Sequence, residues 1–304
     1  GTGLLVKNNS QVTGQNFWTA RLDDQINDRN ALFGRLTTDR ADRTAPGFDT
    51  AEISATRDYY ATIEATHNYS PELLGRTHFS FVRTNLGLFD QRLDALGLSK
   101  FGLPVFNFTG SDVPGILTIP GLTGWGGTES NPKLHIQNTF QMKQDVYWSA
   151  GRHAAKLGVQ FERFQFNQRS DLYASGEYAF AGFDAFLENE VDSADFVRPG
   201  ADNIRGWRQN LLGLYAQDDI NLRPGLTVNL GVRYEAISVP REVNDKVATI
   251  RDLRPEHFYS VRPSQTDIGD PYFTNPSLKN FGPRIGFAWT PFAGRTLSLR
   301  GGAG

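Results

Sequence analysis

Tight turns and long connections alternate along this chain, and that order severely limits what it can fold into. Five hairpin-like units are legible: NFWTARLDD with ALFGRLTTDR, DYYATIEATHNY with RTHFSFVRTN, LHIQNTFQMKQDVYW with AAKLGVQFERFQF, RQNLLGLYAQDDIN with LTVNLGVRYEAI, and FGPRIGFAWT with RTLSLRGG. Each run alternates apolar and polar residues, is rich in aromatic and β-branched types, and is bounded by Gly, Pro, Asn, Asp or Ser. The hairpins are joined by four stretches, residues 40–52, 86–133, 169–206 and 241–280, rich in Gly, Pro, Asp and Asn. Connections inside a compact domain have a median of ~4–6 residues, so four long ones argue against an ordinary soluble fold. Antiparallel strands with every short turn at one end and every long loop at the other describe the wall of a membrane-spanning barrel.

The two faces of each strand test this reading. Along residues 226–235, Leu226, Val228, Leu230, Val232 and Tyr234 form one row, and Thr227, Asn229, Gly231, Arg233 and Glu235 form the other. Ile285, Phe287 and Trp289 stand opposite Arg284, Gly286 and Ala288 in the same way. Ala61, Ile63 and Ala65 oppose Thr62, Glu64 and Thr66, while Thr77, Phe79 and Phe81 oppose Arg76, His78 and Ser80. Apolar rows facing acyl chains and polar rows facing a wet lumen fit this pattern. Matching the apolar rows requires an even register in the second hairpin, for example Ala65 with Phe79 and Ile63 with Phe81, because a one-residue slip reverses every side chain. Spanning takes ~9–11 tilted residues, so segments 55–69 and 134–148 should project beyond the bilayer. Trp18, Tyr59, Tyr60, Tyr69, Tyr147, Trp148, Tyr234 and Trp289 lie near strand ends, as interfacial girdles do. Asp218 and Asp219 are neighbours and must point to opposite faces, which places one carboxylate on the apolar side, near an interface. The segment SGEYAFAGFDAFLENEVDSADF has no clean period and reads as a short strand and a helical turn within a loop.

Composition narrows the function classes. A net charge of −2 leaves no basic footprint for nucleic acid. Cysteine is absent, which removes disulfides and thiolate metal sites. No apolar run reaches the ~18–20 residues of a membrane helix. The chain opens on GTGLLVKNNS and stops at SLRGGAG, as though entering and leaving mid-strand, and is expected to be a fragment.

LYAQDDINLRPGLTVNLGVRYE, PREVNDK and KNFGPRIGFAWTPFAGRTLSLRGGAG together resemble the barrel region of TonB-dependent outer-membrane receptors. Within these the resemblance is to Oar-like proteins, which carry a carboxypeptidase-regulatory-like N-terminal domain. WTARLDDQINDRNALFGR and AGRHAAKLGVQFE are similar to earlier hairpins of the same barrel. The resemblance implies an all-β, antiparallel transmembrane barrel of about 22 strands, about ten of them supplied here. It also implies short periplasmic turns, long extracellular loops and a Gram-negative outer-membrane location. On this expectation, residues 1–304 are one partial barrel domain lacking its plug and closing strands. Its partners are outer-membrane lipid, the TonB complex through the missing plug, and an extracellular ligand, with no nucleic acid and no cofactor. The implied activity is energy-coupled uptake of a bulky nutrient such as a carbohydrate or siderophore. Some Oar-like members are linked instead to adhesion, and a soluble carbohydrate-binding β-sandwich is a further alternative.

No catalytic or metal constellation stands out, and the chain is not expected to be an enzyme. The five histidines are scattered, and neither NDRN nor ENEVDSAD follows the order of a calcium loop. Adjacent strand carboxylates diverge, whereas acid–base chemistry needs them to converge. Aromatic residues of the long loops are the one pointer to a ligand. Trp125, Tyr173, Tyr178, Tyr259 and Tyr272, with Phe106 and Phe108, could stack on a sugar or other ligand, or pack the loops together over the barrel mouth. Arg233, Arg284, Glu64 and Arg76 are expected to form ladders across the lumen wall.

Overall fold

In the computed structural model the described residues are 9–93, 109, 112–198, 200–250, 266–268, 277–292 and 297–304. Ten antiparallel strands follow one another in a single continuous wall: β1 (Val12–Asn27), β2 (Asn30–Pro46), β3 (Thr50–Ser70), β4 (Leu73–Arg92), β6 (Lys133–Ala150), β7 (His153–Ser170), β10 (Ile204–Arg223), β11 (Leu226–Ile237), β15 (Phe281–Trp289) and β16 (Leu299–Ala303). The remaining short elements lie in the long connections. They are β5 (Ile116–Thr118), β8 (Glu177–Phe180), α1 (Phe183–Leu187), β9 (Val191–Asp195), β12 (Arg241–Glu242), β13 (Ala248–Ile250) and β14 (Thr266–Ile268).

Turn chemistry sets the hairpins. Residues 28–29, 71–72, 151–152 and 224–225 are two-residue turns, all at one end of the wall. In the first, Asn27 Oδ1 accepts from the backbone N–H groups of Arg29 and Asn30, both at 3.0 Å. In the last, Pro224 presets φ at the first position, and Gly225, at φ 79°, supplies the left-handed conformation at the second.

The outward face is apolar and uncovered. Leu22, Gly34, Ile63, Phe79, Met142, Phe161 and Leu212 are successive register partners and form one row across seven strands. Ile63 is 55%, Phe79 46% and Met142 55% exposed, so no second sheet packs on them. Ala51, Ile119 and Phe180 are the buried hydrophobics among the described residues. A soluble protein seldom exposes an apolar face this large; a wall solvated by acyl chains does so along its whole height.

That height can be measured. On β10 the outward row over residues 212–220 is apolar except for Asp218 near its turn end, and its length is close to the ~9–11 residues a tilted strand needs to span. Above it the outward positions turn polar together. Arg57 Nη2 pairs with Asp42 Oδ1 at 2.6 Å, Arg83 donates to Asn138 Oδ1 at 3.2 Å, and Arg163 donates to Asn210 Oδ1 at 3.1 Å. This belt marks where strands leave hydrocarbon. At the other boundary, outward Asp218 meets His153 Nδ1 at 2.6 Å, beside the stacked ring of Trp148. A paired carboxylate at that depth costs little.

Four expectations are corrected. Residues 40–52 are not a long loop: β2 and β3 pair up to Pro46 with Ala51, leaving only residues 47–49 as a connection. Three of the four joins between hairpins are therefore long. The register of the second hairpin is even, as the rows required, but Ile63 faces Phe79 and Ala61 faces Phe81, two residues from the expected pairing. Of the girdle aromatics, Tyr60 and Tyr147 share parity with the inward row, whereas the other six face outward. Finally, the aperiodic loop segment contains a second strand, β9, beyond the expected strand and helical turn.

Candidate functional site

At the long-loop rim, three carboxyl groups, those of Asp49 and Glu242 buried and that of Asp90 half-buried, hold the connections in place. Asp49, in the three-residue β2–β3 join, accepts from Gly126 N–H with both oxygens at 3.2 Å, and Thr50 Oγ1 donates to Gly126 O at 2.9 Å. Asp90, near the end of β4, accepts from Thr128 N–H at 2.8 Å and Asn131 Nδ2 at 3.1 Å. Burial pushes the Asp49 carboxyl up. The Gly126 N–H pulls the other way, and the Asp90 charge adds to the rise. Glu242, 1% exposed, is the third anchor. It accepts from the N–H groups of Gly206, Asn244 and Lys246, each at 2.8 Å, fastening β12 to β10. Burial pushes its carboxyl up, but the three N–H donors and nearby Arg205 outweigh this and hold it below the usual range.

Glu242→Gln replaces one acceptor oxygen with an amide NH2, a donor facing backbone N–H donors. A bond to a charged group contributes ~1.5–3 kcal/mol. Amide exchange at Gly206, Asn244 and Lys246 should therefore speed up by at least about tenfold, with mid-wall amides unchanged. Because its folded value is lowered, Glu242 supports the docked loop above the ordinary carboxylate range, near 4.3. That support should fade as pH falls through the lowered value, and the same amides would report it.

Two long connections are woven into one body. β5 pairs in parallel with β8, and β9 adds antiparallel to β8. The structure brings three expected aromatics to this body and its seam. Trp125 bridges to Leu117 and meets Phe48 edge-on at 5.6 Å, and its indole N–H is buried without a partner among the described residues. Tyr173, at φ 52°, donates its hydroxyl to Glu129 at 3.3 Å, and the Glu129 charge pushes its phenol up. Tyr178 packs edge-on against Phe196 at 5.2 Å. Their visible partners are loop residues. Tyr259, Tyr272, Phe106 and Phe108 lie outside the described residues.

The inward face holds a network that sequence reasoning did not single out. Asp145, 4% exposed, accepts the Tyr215 hydroxyl, pairs with Lys143 Nζ at 3.2 Å, and lies 3.5 Å from the Tyr147 hydroxyl. Lys156 stands over the Tyr147 and Tyr215 rings at 5.1 and 5.3 Å. Gly158 makes this possible, since a Cβ there would lie 2.4 Å from the Tyr215 ring. Parity was the available signal: Lys143, Asp145 and Tyr147 alternate with outward Met142, Gln144 and Val146. The expected ladders are realised in part. Glu64 pairs with Arg76 at 3.3 Å and His78 at 3.5 Å, and Arg233 pairs with Glu235 on its own strand. Arg284 has no ion-pair partner among the described residues.

No curated protein matches the chain. Among solved structures it is similar to P. aeruginosa FpvA bound to a heterologous pyoverdine and iron, with a TM-score of 0.47 and 11% identity over 92% of this chain and 34% of that one. It is similar also to the siderophore receptor PiuA from Acinetobacter baumannii, with a TM-score of 0.49 and 10% identity over 94% of this chain and 41% of that one. A third is the FpvAI–pyocin S2 complex, with a TM-score of 0.47 and 13% identity over 93% and 33% of the two chains. The chain thus spans between a third and about two-fifths of the length of these structures. The model of the outer membrane beta barrel domain matches residues 2–304. With its apolar outer belt, polar inner face and opposed turn and loop ends, this chain belongs to the outer membrane beta barrel domain family, and its place is the outer membrane of a Gram-negative bacterium.

Proposed function

We propose that this chain is part of the wall of a TonB-dependent, Oar-like receptor that takes up a bulky nutrient, such as a carbohydrate or siderophore, at the expense of inner-membrane energy. The observation that carries the reading is the ten-strand wall, apolar and uncovered outside and polar within, with its short turns at one end and its long connections at the other. A wall of ten tall strands with connections this long suits a large barrel better than a small one. The largest barrels enclose a lumen that must be plugged, and plugged barrels are transporters. On this reading a plug and further strands complete residues 1–304, and the plug contacts the TonB complex. The sequence resemblance to the receptor barrel supports the same choice.

The experiment is uptake by intact cells with and without the gene, offered labelled ferric siderophores and oligosaccharides, with a protonophore arm. Gene-dependent uptake that collapses with the protonophore is expected. Gene-dependent flux unaffected by it would exclude energy coupling. A surface-contact role is the second reading. The observation favouring it is the folded loop body, where Leu172, Phe183 and Leu187 are 54%, 50% and 66% exposed. Cells lacking the gene would then lose attachment while uptake stayed unchanged.

A further inference from the structure

At the loop-end boundary the outward face carries positive charge that its own neighbours do not balance. Tyr59, Arg83, Asn138, Gln165 and Arg208 are successive register partners and form one outward row across β3, β4, β6, β7 and β10. Arg163 stands one row below on β7, diagonal to Arg208, while Arg40 and Arg57 face each other directly one row above. Among the described residues of β2 and these five strands, Asp42 is the one outward carboxylate at this boundary, and it takes Arg57 at 2.6 Å. Arg83 and Arg163 donate instead to the neutral amides of Asn138 and Asn210, and Arg208 to the carbonyl of Trp207 at 2.8 Å. Arg40 has no ion-pair partner among the described residues. Arg241 on β12 lies opposite Arg208 and is answered by Asp245 at 3.7 Å. The turn-end boundary is different in character. Its outward positions include Asp24, Asp218 and His153, with the Arg223 guanidinium over the Trp289 ring beyond them.

Like charges directly opposite on neighbouring strands are destabilising, so Arg40 and Arg57 gain from an anion placed between them. From this arrangement we infer that the outward arginines hold the phosphate groups of a lipid headgroup in the outer leaflet, whose acyl chains run down the apolar band. A guanidinium presents a planar fork of donors that matches a phosphate two bonds at a time. Arg83 and Arg208 are three strand steps apart, about 14–15 Å at ~4.8 Å per strand. Asn138 and Gln165 lie between them and offer amide groups to sugar hydroxyls. Directly beneath, the outward rings of Phe81 and Phe140 pack 5.0 Å apart, and Phe79 and Met142 continue the apolar strip toward the middle of the band. Phosphate above, saccharide between and hydrocarbon below describe a phosphorylated, acylated saccharide such as lipid A. A lipid surface without phosphate would leave the guanidinium groups unanswered. All six strands are paired on both sides, so the belt owes nothing to the edges of the sheet, and it faces away from whatever fills the lumen. The inference rests on the outer-membrane location and holds whether or not the barrel transports.

The test uses the full-length protein, extracted from outer membranes, stripped of lipid in detergent and titrated with lipid A bearing two phosphates. The same lipid without its phosphates and phosphatidylethanolamine serve as comparisons, and native mass spectrometry counts the lipid retained. Saturable binding of the doubly phosphorylated lipid, well above both comparisons, is expected. Inorganic phosphate in molar excess should leave the lipid in place, because it has no acyl chains to lay on the band. Full displacement by inorganic phosphate would show a site for the free anion and overturn the lipid assignment. Arg83→Gln, Arg163→Gln and Arg208→Gln should each weaken binding about fivefold, and the triple variant about a hundredfold. Lysine at all three positions keeps the charge and should retain binding within about tenfold, whereas Arg35→Gln, on the inward row of β2, should leave it unchanged. Far-UV circular dichroism confirms that each variant is folded. The inference is overturned if the phosphates of lipid A make no difference, or if the folded triple glutamine variant binds like the parent.

Discussion

Phe79→Arg is expected to cost the folded barrel about 2–4 kcal/mol, enough to remove it from the outer membrane, whereas Ser80→Arg next to it should be nearly neutral. Phe79 sits in the middle of the outward apolar band, with Leu73 near one boundary and Arg83 in the polar belt at the other. An arginine there must either desolvate its charge in hydrocarbon or drag water into the bilayer. Ser80 points the other way, donating to Gln141 at 3.3 Å on a wet wall that already carries charges. The measurement is urea unfolding from lipid vesicles followed by tryptophan fluorescence, with folded yield in outer-membrane fractions as the cellular readout. Arginine at outward Leu73, close to the interface, should cost only ~0–1 kcal/mol. Equal penalties at positions 79 and 80 would mean that the uncovered row does not face lipid, and the membrane assignment would fall.

The same boundary explains how much of the fold could be read in the sequence. Between the two interfaces one face meets hydrocarbon and the other water, so period-two alternation is strong, and every outward row named from sequence faces outward. Beyond the Arg57, Arg83 and Arg163 belt both faces meet water and the alternation disappears. There the strands outran the reading: β4 continues from Asn85 to Arg92, β7 from Phe166 to Ser170, and β2 with β3 closes the supposed 40–52 loop. The register error has a different source. Rows of Ile63, Ala65, Phe79 and Phe81 fix parity but cannot distinguish pairings two residues apart. The turn decides: Pro71 and Glu72 alone make it, Ser70 Oγ accepts from Glu72 N–H at 3.2 Å, and Leu73 to Gly75 are drawn into the strand. The runs DYYATIEATHNY and RTHFSFVRTN leave the six residues SPELLG between them.

The candidate site was less legible, for a related reason. Loop aromatics can be listed from a sequence, but the parallel pairing of β5 with β8 joins stretches some sixty residues apart and leaves no periodic trace. The rim carboxylates are similarly silent. Asp49 sits in GFDT and Glu242 in PREVND, both ordinary turn compositions. Only the folded chain shows each one collecting backbone N–H groups from a distant segment.

The lumen network, by contrast, follows once inward parity is known, and Asp145 is where its removal should be felt most. Asp145→Ala is expected to destabilise the barrel by about 3–5 kcal/mol, the usual cost of taking one partner from a buried ion pair. It strips Lys143 of its carboxylate and leaves the Tyr215 hydroxyl over Gly158 without its acceptor. Lys143 and Lys156 would then crowd the same two rings without a carboxylate between them, beside Arg76, which Glu64 answers. Asp145→Asn keeps the shape and one acceptor oxygen, so its cost should be smaller, near 1–2 kcal/mol. Combining Asp145→Ala with Tyr215→Phe in a double-mutant cycle should give a coupling of about 1.5–3 kcal/mol, as for a hydrogen bond to a charged group. Gly158→Ala supplies an independent probe, since its methyl must displace the Tyr215 ring from above the strand, at a cost of about 1–3 kcal/mol. Every variant is read as a urea midpoint in vesicles. If Asp145→Ala unfolds at the parental midpoint, the buried carboxylate is not what ties β6, β7 and β10 together on the lumen side.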